Sequence, residues 1–139
     1  MTATFVTFEV GDHTWGLEVH AVREVLPVHA TTRVPRADET IAGLVNLRGQ
    51  VVLSLDLRTR LGIPGERTPA EQMMIVVDRA AEPISLVVDR IGEVVEVGDA
   101  DFDDPPRTLG AELRPFVLGA YKLTDRLLLA LDVDAVTSR

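Results

Sequence analysis

Gln50-Val51-Val52-Leu53-Ser54-Leu55-Asp56-Leu57 repeats with a period of two. Val51, Leu53, Leu55 and Leu57 make one face, and Gln50, Val52, Ser54 and Asp56 make the other. Successive side chains of a strand point to opposite faces, so this spacing predicts a β-strand and not a helix. The same period recurs outward in both directions. Toward the N-terminus, Val6, Phe8 and Val10 alternate, Gly11-Asp12 marks a turn, and Trp15, Leu17 and Val19 alternate again, which reads as a β-hairpin. Toward the C-terminus, residues 73–77 form a continuous apolar run expected to be covered on both faces. Residues 83–90 form another strand, Gly92 a bend or bulge, and residues 93–97 a continuation. Residues 116–123 and 126–131 flank Thr124-Asp125, a second hairpin signal. The expectation is about nine short strands in an all-β protein, arranged as barrels or sandwiches.

Helices are few and short in this reading. Val19, Val22, Val25 and Leu26 fall at i, i+3, i+6 and i+7, one stripe of a short helix that Pro27 ends. Residues 31–34 are expected as a short strand closed by Pro35, and Asp38 as an N-cap for segment 39–45. A helical turn is expected over 58–61 before Gly62, and a short helical cap over 132–139. No strand alternates with a long helix, so a doubly wound α/β fold is not expected. Loop 62–71 holds Gly62, Pro64, Gly65 and Pro69, and is the expected subdomain boundary. Residues 98–110 form a second loop, acidic at first. Leu53-Ser54-Leu55-Asp56-Leu57-Arg58 faintly echoes Ile84-Ser85-Leu86-Val87-Val88-Asp89-Arg90, which suits two similar barrels.

Composition narrows the function classes. A chain of 139 residues is one ordinary domain. Lys and Arg number 14 against 22 Asp and Glu, for a net charge of −8. That balance lacks the basic footprint of a nucleic-acid binder or of a protein drawn to anionic membranes. Cysteine is absent, so disulfides, thiolate metal sites and a cysteine nucleophile are excluded. The N-terminus lacks a basic n-region and an apolar h-region, and no apolar run approaches the roughly 20 residues of a membrane helix. The expectation is a soluble, acidic, cytosolic domain without direct membrane insertion.

The search for chemistry is negative. Ser54, Ser85 and Ser138 are the only serines, and none lies in a nucleophile elbow. Neither phosphate-cradling glycine motif occurs, and the one lysine, Lys122, sits in a strand pattern as a solvated residue. His13, His20 and His29 lack the spacing that lets one helix face hold zinc. Asp99, Asp101 and Asp103 resemble the start of a calcium loop, but Asp104 stands where its glycine is needed and Gly110 where its glutamate is needed. Glu93 and Glu96 have no histidine beside them and read as a surface pair at a strand–loop junction. No cofactor, metal or catalytic residue is expected.

What remains suits a docking module. Gly43-Leu44-Val45-Asn46-Leu47-Arg48-Gly49 sets an amide, an arginine and a glycine in an apolar context. Asn46 and Gly49 serve as turn punctuation. Arg48 is permanently charged and must reach solvent, a carboxylate or a partner.

The stretch from Gly43 through Asn46, Arg48 and Gly49 to Asp56-Leu57-Arg58 resembles the strongest signature of the CheW family of chemotaxis coupling proteins. Trp15-Gly16-Leu17-Glu18-Val19 followed by Val22-Arg23-Glu24-Val25, then Val34-Pro35, segment 84–91 and the closing segment 125–132 fall in that family's order, so the resemblance covers residues 5 to 136. It implies two packed five-stranded SH3-like barrels with a groove between them, in a single domain over 1–139 whose C-terminal segment returns to the first barrel. It implies a non-catalytic adaptor that binds the cytoplasmic tip of methyl-accepting chemoreceptors and the regulatory domain of the histidine kinase CheA. Other CheW-like proteins are further implied partners, and the implied location is the cytoplasm, at membrane receptor arrays. Carried over residue by residue, Val22 and Glu24 match receptor-contact positions expected on a helix. Gly43, Asn46, Arg48 and Gly49 match the signature loop, and Met73, Ser85 and Val94 match groove and strand positions. The chain stops soon after the domain, so a stand-alone adaptor is expected. Two alternatives stay open: an adaptor of a related array for pili or gliding, and a small-ligand-binding barrel or enzyme on the same fold. Glu24 and Arg48, both charges in apolar stretches, are expected to meet as an ion pair at the groove wall.

Overall fold

A computed structural model describes residues 2–28, 32, 34–35, 38–65 and 69–138. Its strands are β1 (Thr2–Val10), β2 (His13–Glu18), β3 (Val22–Pro27), β4 (Ile41–Leu47), β5 (Gln50–Asp56), β6 (Met73–Arg79), β7 (Glu82–Val88), β8 (Arg90–Gly98), β9 (Phe102–Asp103), β10 (Val117–Lys122) and β11 (Leu127–Leu131). Two one-turn helices, α1 (Leu57–Leu61) and α2 (Val133–Thr137), follow β5 and β11. In each, an aspartate at the strand end caps the helix: Asp56 accepts from Thr59 N–H and Asp132 from Ala135 N–H.

The strands form two sheets. The first has the order β8-β1-β2-β11-β10-β9 and the second β3-β6-β7-β5-β4. β2 pairs with β11, and β5 with β7, in parallel; the remaining pairs are antiparallel. The margins of the first sheet, β8 and β9, are joined in sequence by one 3-10 turn, Asp99–Asp101.

Strand alternation divides the apolar residues among three cores. Phe5, Val97, Leu128 and Ala130 fill the inside of the first barrel. Val45, Val52, Met74 and Val87 fill the inside of the second. The opposite strand faces share a larger core between the barrels, with Phe8, Trp15, Leu17, Ile75, Leu86 and Leu129 among its members. Continuous apolar runs such as Met73–Arg79 up to Val77 are covered on both faces for this reason.

Several sequence expectations need correction. The helical stripe at Val19, Val22, Val25 and Leu26 does not form a helix; only Val19–Ala21 turns, and Val22–Pro27 is strand. Val22, Glu24 and Leu26 are half-buried while Arg23 and Val25 are exposed, so an extended strand, with one bulge between Val22 and Glu24, prevails once β6 supplies a pairing partner. Asp38 does not cap a helix. Its carboxylate accepts from Thr40 N–H at 3.0 Å, a local turn that feeds strand β4. Eleven strands stand among the described residues where about nine are expected, and the first sheet has six because the loop after β8 includes the two-residue β9. Glu93 and Glu96 both lie within β8, not at a strand–loop junction. The exchange between sheets falls at Val19–Ala21 and between Val88 and Arg90, not in loop 62–71, which connects α1 to β6 inside the second barrel. Of segment 31–34, Thr32 makes an isolated bridge with Leu44; residues 31 and 33, like His29 and residues 66–68 of the loop, lie outside the described residues.

Candidate protein-docking site

The second barrel is held at one end by a charged pair between its two marginal elements. Leu47 pairs with Gln50, so the β4–β5 hairpin has a two-residue loop, Arg48-Gly49. Both residues have positive φ, 53° and 84°, which matches the right-handed twist of the strands it joins. Asn46 Oδ1 accepts from Gly49 N–H at 2.9 Å and locks the turn. This conformation carries the Arg48 guanidinium to Glu24 on β3, at the opposite margin of the sheet. Nη1 donates to Oε2 at 2.5 Å and Nη2 to Oε1 at 2.7 Å. Two parallel N–H···O bonds fix direction as well as distance.

A bulge places Glu24. The β3–β6 register shifts between Val22, opposite Val77, and Glu24, opposite Val76. Without that shift Val22 and Glu24 would share a face. With it, Val22 packs on the core between the barrels, and Glu24 turns toward the mouth of the second barrel. The intervening residue, Arg23, faces solvent and pairs with Asp78 at 3.0 Å. The mouth is a small cavity of about 180 Å³ lined by Arg23, Glu24, Leu47, Arg48, Val52 and Pro83. The hydrogen bond from Arg48, and then its charge with that of Arg23, hold the Glu24 carboxyl below the usual glutamate range. Glu24 in turn raises Arg48. The Glu24 side chain is mostly covered while Arg48 lies 79% exposed, so the pair shows its cationic side to solvent.

The other expected site residues do not gather there. Gly43 is buried, with φ 148°, at a register shift in the β4–β5 ladder. Met73 starts β6 and packs on the core between the barrels. Val94 is 59% exposed, on β8 of the first barrel. Ser85 is fully buried and receives the Ser54 hydroxyl at 3.2 Å across the parallel β5–β7 pair. It therefore has no surface for a partner, and its assignment as a contact residue is corrected: it is a core hydroxyl. Ser85→Ala should cost about 1–3 kcal/mol by stranding the Ser54 hydroxyl. Replacing both serines by alanine should cost less than the single change, as urea denaturation of the two variants will show.

His20 contacts Glu18 at 3.2 Å, and the His13 ring stands edge-on to Trp15. No group of three or more His, Asp and Glu side chains able to hold a metal occurs among the described residues. Asp101 binds the Gly98 N–H, and Asp103 lies 3.8 Å from Lys122. In a cleft of about 760 Å³ beside Gly11, Arg58 and Ile63, the Arg58 guanidinium is engaged by Asp89 and by the Pro64 carbonyl. No helix among the described residues is long and apolar enough to cross a membrane.

The family model of the CheW-like domain matches residues 4–139. The chain belongs to the CheW-like family. Its relatives include the chemotaxis protein CheW of Rhizobium meliloti, 28% identical over 131 residues, covering 94% of this chain and 84% of the relative. The chemotaxis protein CheW of Bacillus subtilis is 26% identical over 134 residues, covering 96% and 86%. The crystal structure of the scaffolding protein TtCheW from Thermoanaerobacter tengcongensis superposes with a TM-score of 0.90 at 26% identity, covering all of this chain and 90% of that one. The two curled sheets and short helices of this CheW-like chain are thus the family's fold.

Proposed function

We propose that this CheW-like protein is a non-catalytic adaptor coupling chemoreceptor tips to the regulatory domain of the histidine kinase CheA. The observation that carries the reading is the bidentate Glu24–Arg48 pair, which joins the two margins of the second barrel and leaves the guanidinium partly open to a partner. A scaffold needs surfaces held in fixed geometry, because ordering a loose surface on binding weakens association. Strand β3 and the β4–β5 turn provide one such surface; Val94 on β8 contributes a second from the other barrel. The names of the relatives support a chemotaxis role, and one solved relative is described as a scaffolding protein. Docked on receptors and kinase, and beside other CheW-like proteins, the protein would work in the cytoplasm at the membrane array.

Mixing the purified protein with a receptor signalling fragment and the kinase regulatory domain tests this directly. Size-exclusion chromatography is expected to show a ternary complex that forms only when the protein is present. Failure to bind either component at tens of micromolar, roughly the weak end of signalling contacts, would sink the reading.

A further inference from the structure

Asp89 is the single residue between β7 of the second barrel and β8 of the first. Its carboxylate accepts from Arg58 Nη2 at 2.5 Å, from Arg58 Nε at 3.3 Å and from the Gly11 N–H at 2.8 Å. Its own N–H donates to the Glu9 carbonyl at 3.0 Å. Arg58 belongs to α1 of the second barrel, is 8% exposed, and donates through Nη1 to the Pro64 carbonyl at 2.6 Å. Glu9 and Gly11 belong to the β1–β2 corner of the first barrel. That corner seats tightly: a Cβ on Gly11 would lie 2.6 Å from Ile63 Cγ2, in the loop after α1. Arg90, the next residue, clasps the Glu9 carboxylate at 2.8 Å.

The apolar core between the barrels supplies cohesion without direction, since hydrophobic burial is non-directional. A carboxylate held by a guanidinium fork on one side and a backbone amide on the other supplies the direction. A buried ion pair of this kind is weak grounds for stability, and its value lies in geometry. We infer that Arg58 and Asp89 are positioning residues of the adaptor, a buried joint at the crossover that sets the angle between the barrels and lets a partner on one control a partner on the other. The second half of that statement rests on the adaptor reading; the joint itself does not.

The chain has no cysteine, so the doubly labelled variant Glu82→Cys/Glu96→Cys reports the separation of the barrels cleanly by pulsed electron paramagnetic resonance. Two changes are made in it: Asp89→Asn, and the double replacement Arg58→Met/Asp89→Leu, which swaps the pair for apolar groups and spares the fold an unpaired buried charge. The parent is expected to give one narrow distance distribution. The double replacement is expected to broaden or shift it while thermal unfolding stays cooperative. Receptor-dependent kinase control should then fall about tenfold or more, with binding of each separate partner retained. An unchanged distance distribution in the folded double variant overturns the inference. So does failure of both variants to fold, which would make the pair a requirement of the fold and not of the angle. A parent that responds in distance but shows no kinase control would uphold the joint and overturn the adaptor reading alone.

Discussion

Arg48→Glu is expected to weaken partner docking strongly while the protein still unfolds cooperatively near its normal temperature. The substitution sets two carboxylates against each other where β3 meets the β4–β5 turn, and it removes an exposed guanidinium. Both side chains sit at the mouth of the barrel, beyond its core, so repulsion is relieved by their moving apart into water and the cost to stability stays small. The docking surface, however, loses the fork that fixes it, and affinity should fall about tenfold or more. Glu24→Arg alone should do the same, and the double reversal should recover part of the loss, because residues in direct contact couple energetically. Acid provides an independent check. The Glu24 carboxyl is held below the usual glutamate range, mainly by the Arg48 hydrogen bond. A carboxylate lowered on folding contributes at pH values above the unfolded value and loses that contribution as pH falls through the lowered one. The difference between parent and Arg48→Glu should therefore be full at neutral pH and shrink on acidification below the glutamate range. Calorimetric titration of the partners, with circular dichroism melts beside it, measures both effects. Parent-like binding by folded Arg48→Glu would remove the pair from the docking site.

The largest loss of stability is expected for Trp15→Ala. Trp15 is fully buried on β2, flanked by Phe8 on β1 and by Leu129 on β11, in the core that both barrels share. Close-packed strands on both sides cannot collapse to fill an indole-sized void, so the cost is about 3–5 kcal/mol. Domains of this size hold only about 5–15 kcal/mol in total, so the variant should be marginally folded at 37 °C and show a much lower urea midpoint. Leu118→Ala is the control: its side chain is 65% exposed on β10 and should change stability by less than about 0.5 kcal/mol. Equal midpoints for the two variants would contradict the placement of the shared core.

Much of this was legible in the sequence where local rules act alone. The strands β1, β2, β5 and β11 stand where the sequence places them, and alternation sorts their residues between cores, Phe5 from Phe8 on β1, Val52 from Leu55 on β5 and Leu128 from Leu129 on β11. The Glu24–Arg48 contact was also legible, since the family resemblance brings the two segments together and a carboxylate was one of the three destinations open to the Arg48 cation. The secondary structure carrying Glu24 was not. Val22 and Val25 fit a helical stripe as well as a strand, and only the pairing partner β6, about fifty residues away in sequence, decides between them. The bulge that separates Val22 from Glu24 likewise depends on that partner. Ser85 was misplaced because a lone serine in an apolar run carries no sign of whether it faces water or another hydroxyl; Ser54 answers that only across a parallel pair. Arg58 and Asp89 were not legible as a pair, because their contact joins three elements of two barrels and no single segment of sequence shows it.

Kinase autophosphorylation in a reconstituted mixture of receptor signalling fragment, full-length CheA and this protein tests the central claim most directly. Adding the folded protein is expected to raise phosphorylation severalfold over receptor and kinase alone, on the order of the coupling factors typical of allosteric control, and Arg48→Glu is expected to leave it at the basal rate. Phosphorylation that is the same with and without the folded protein would contradict the account.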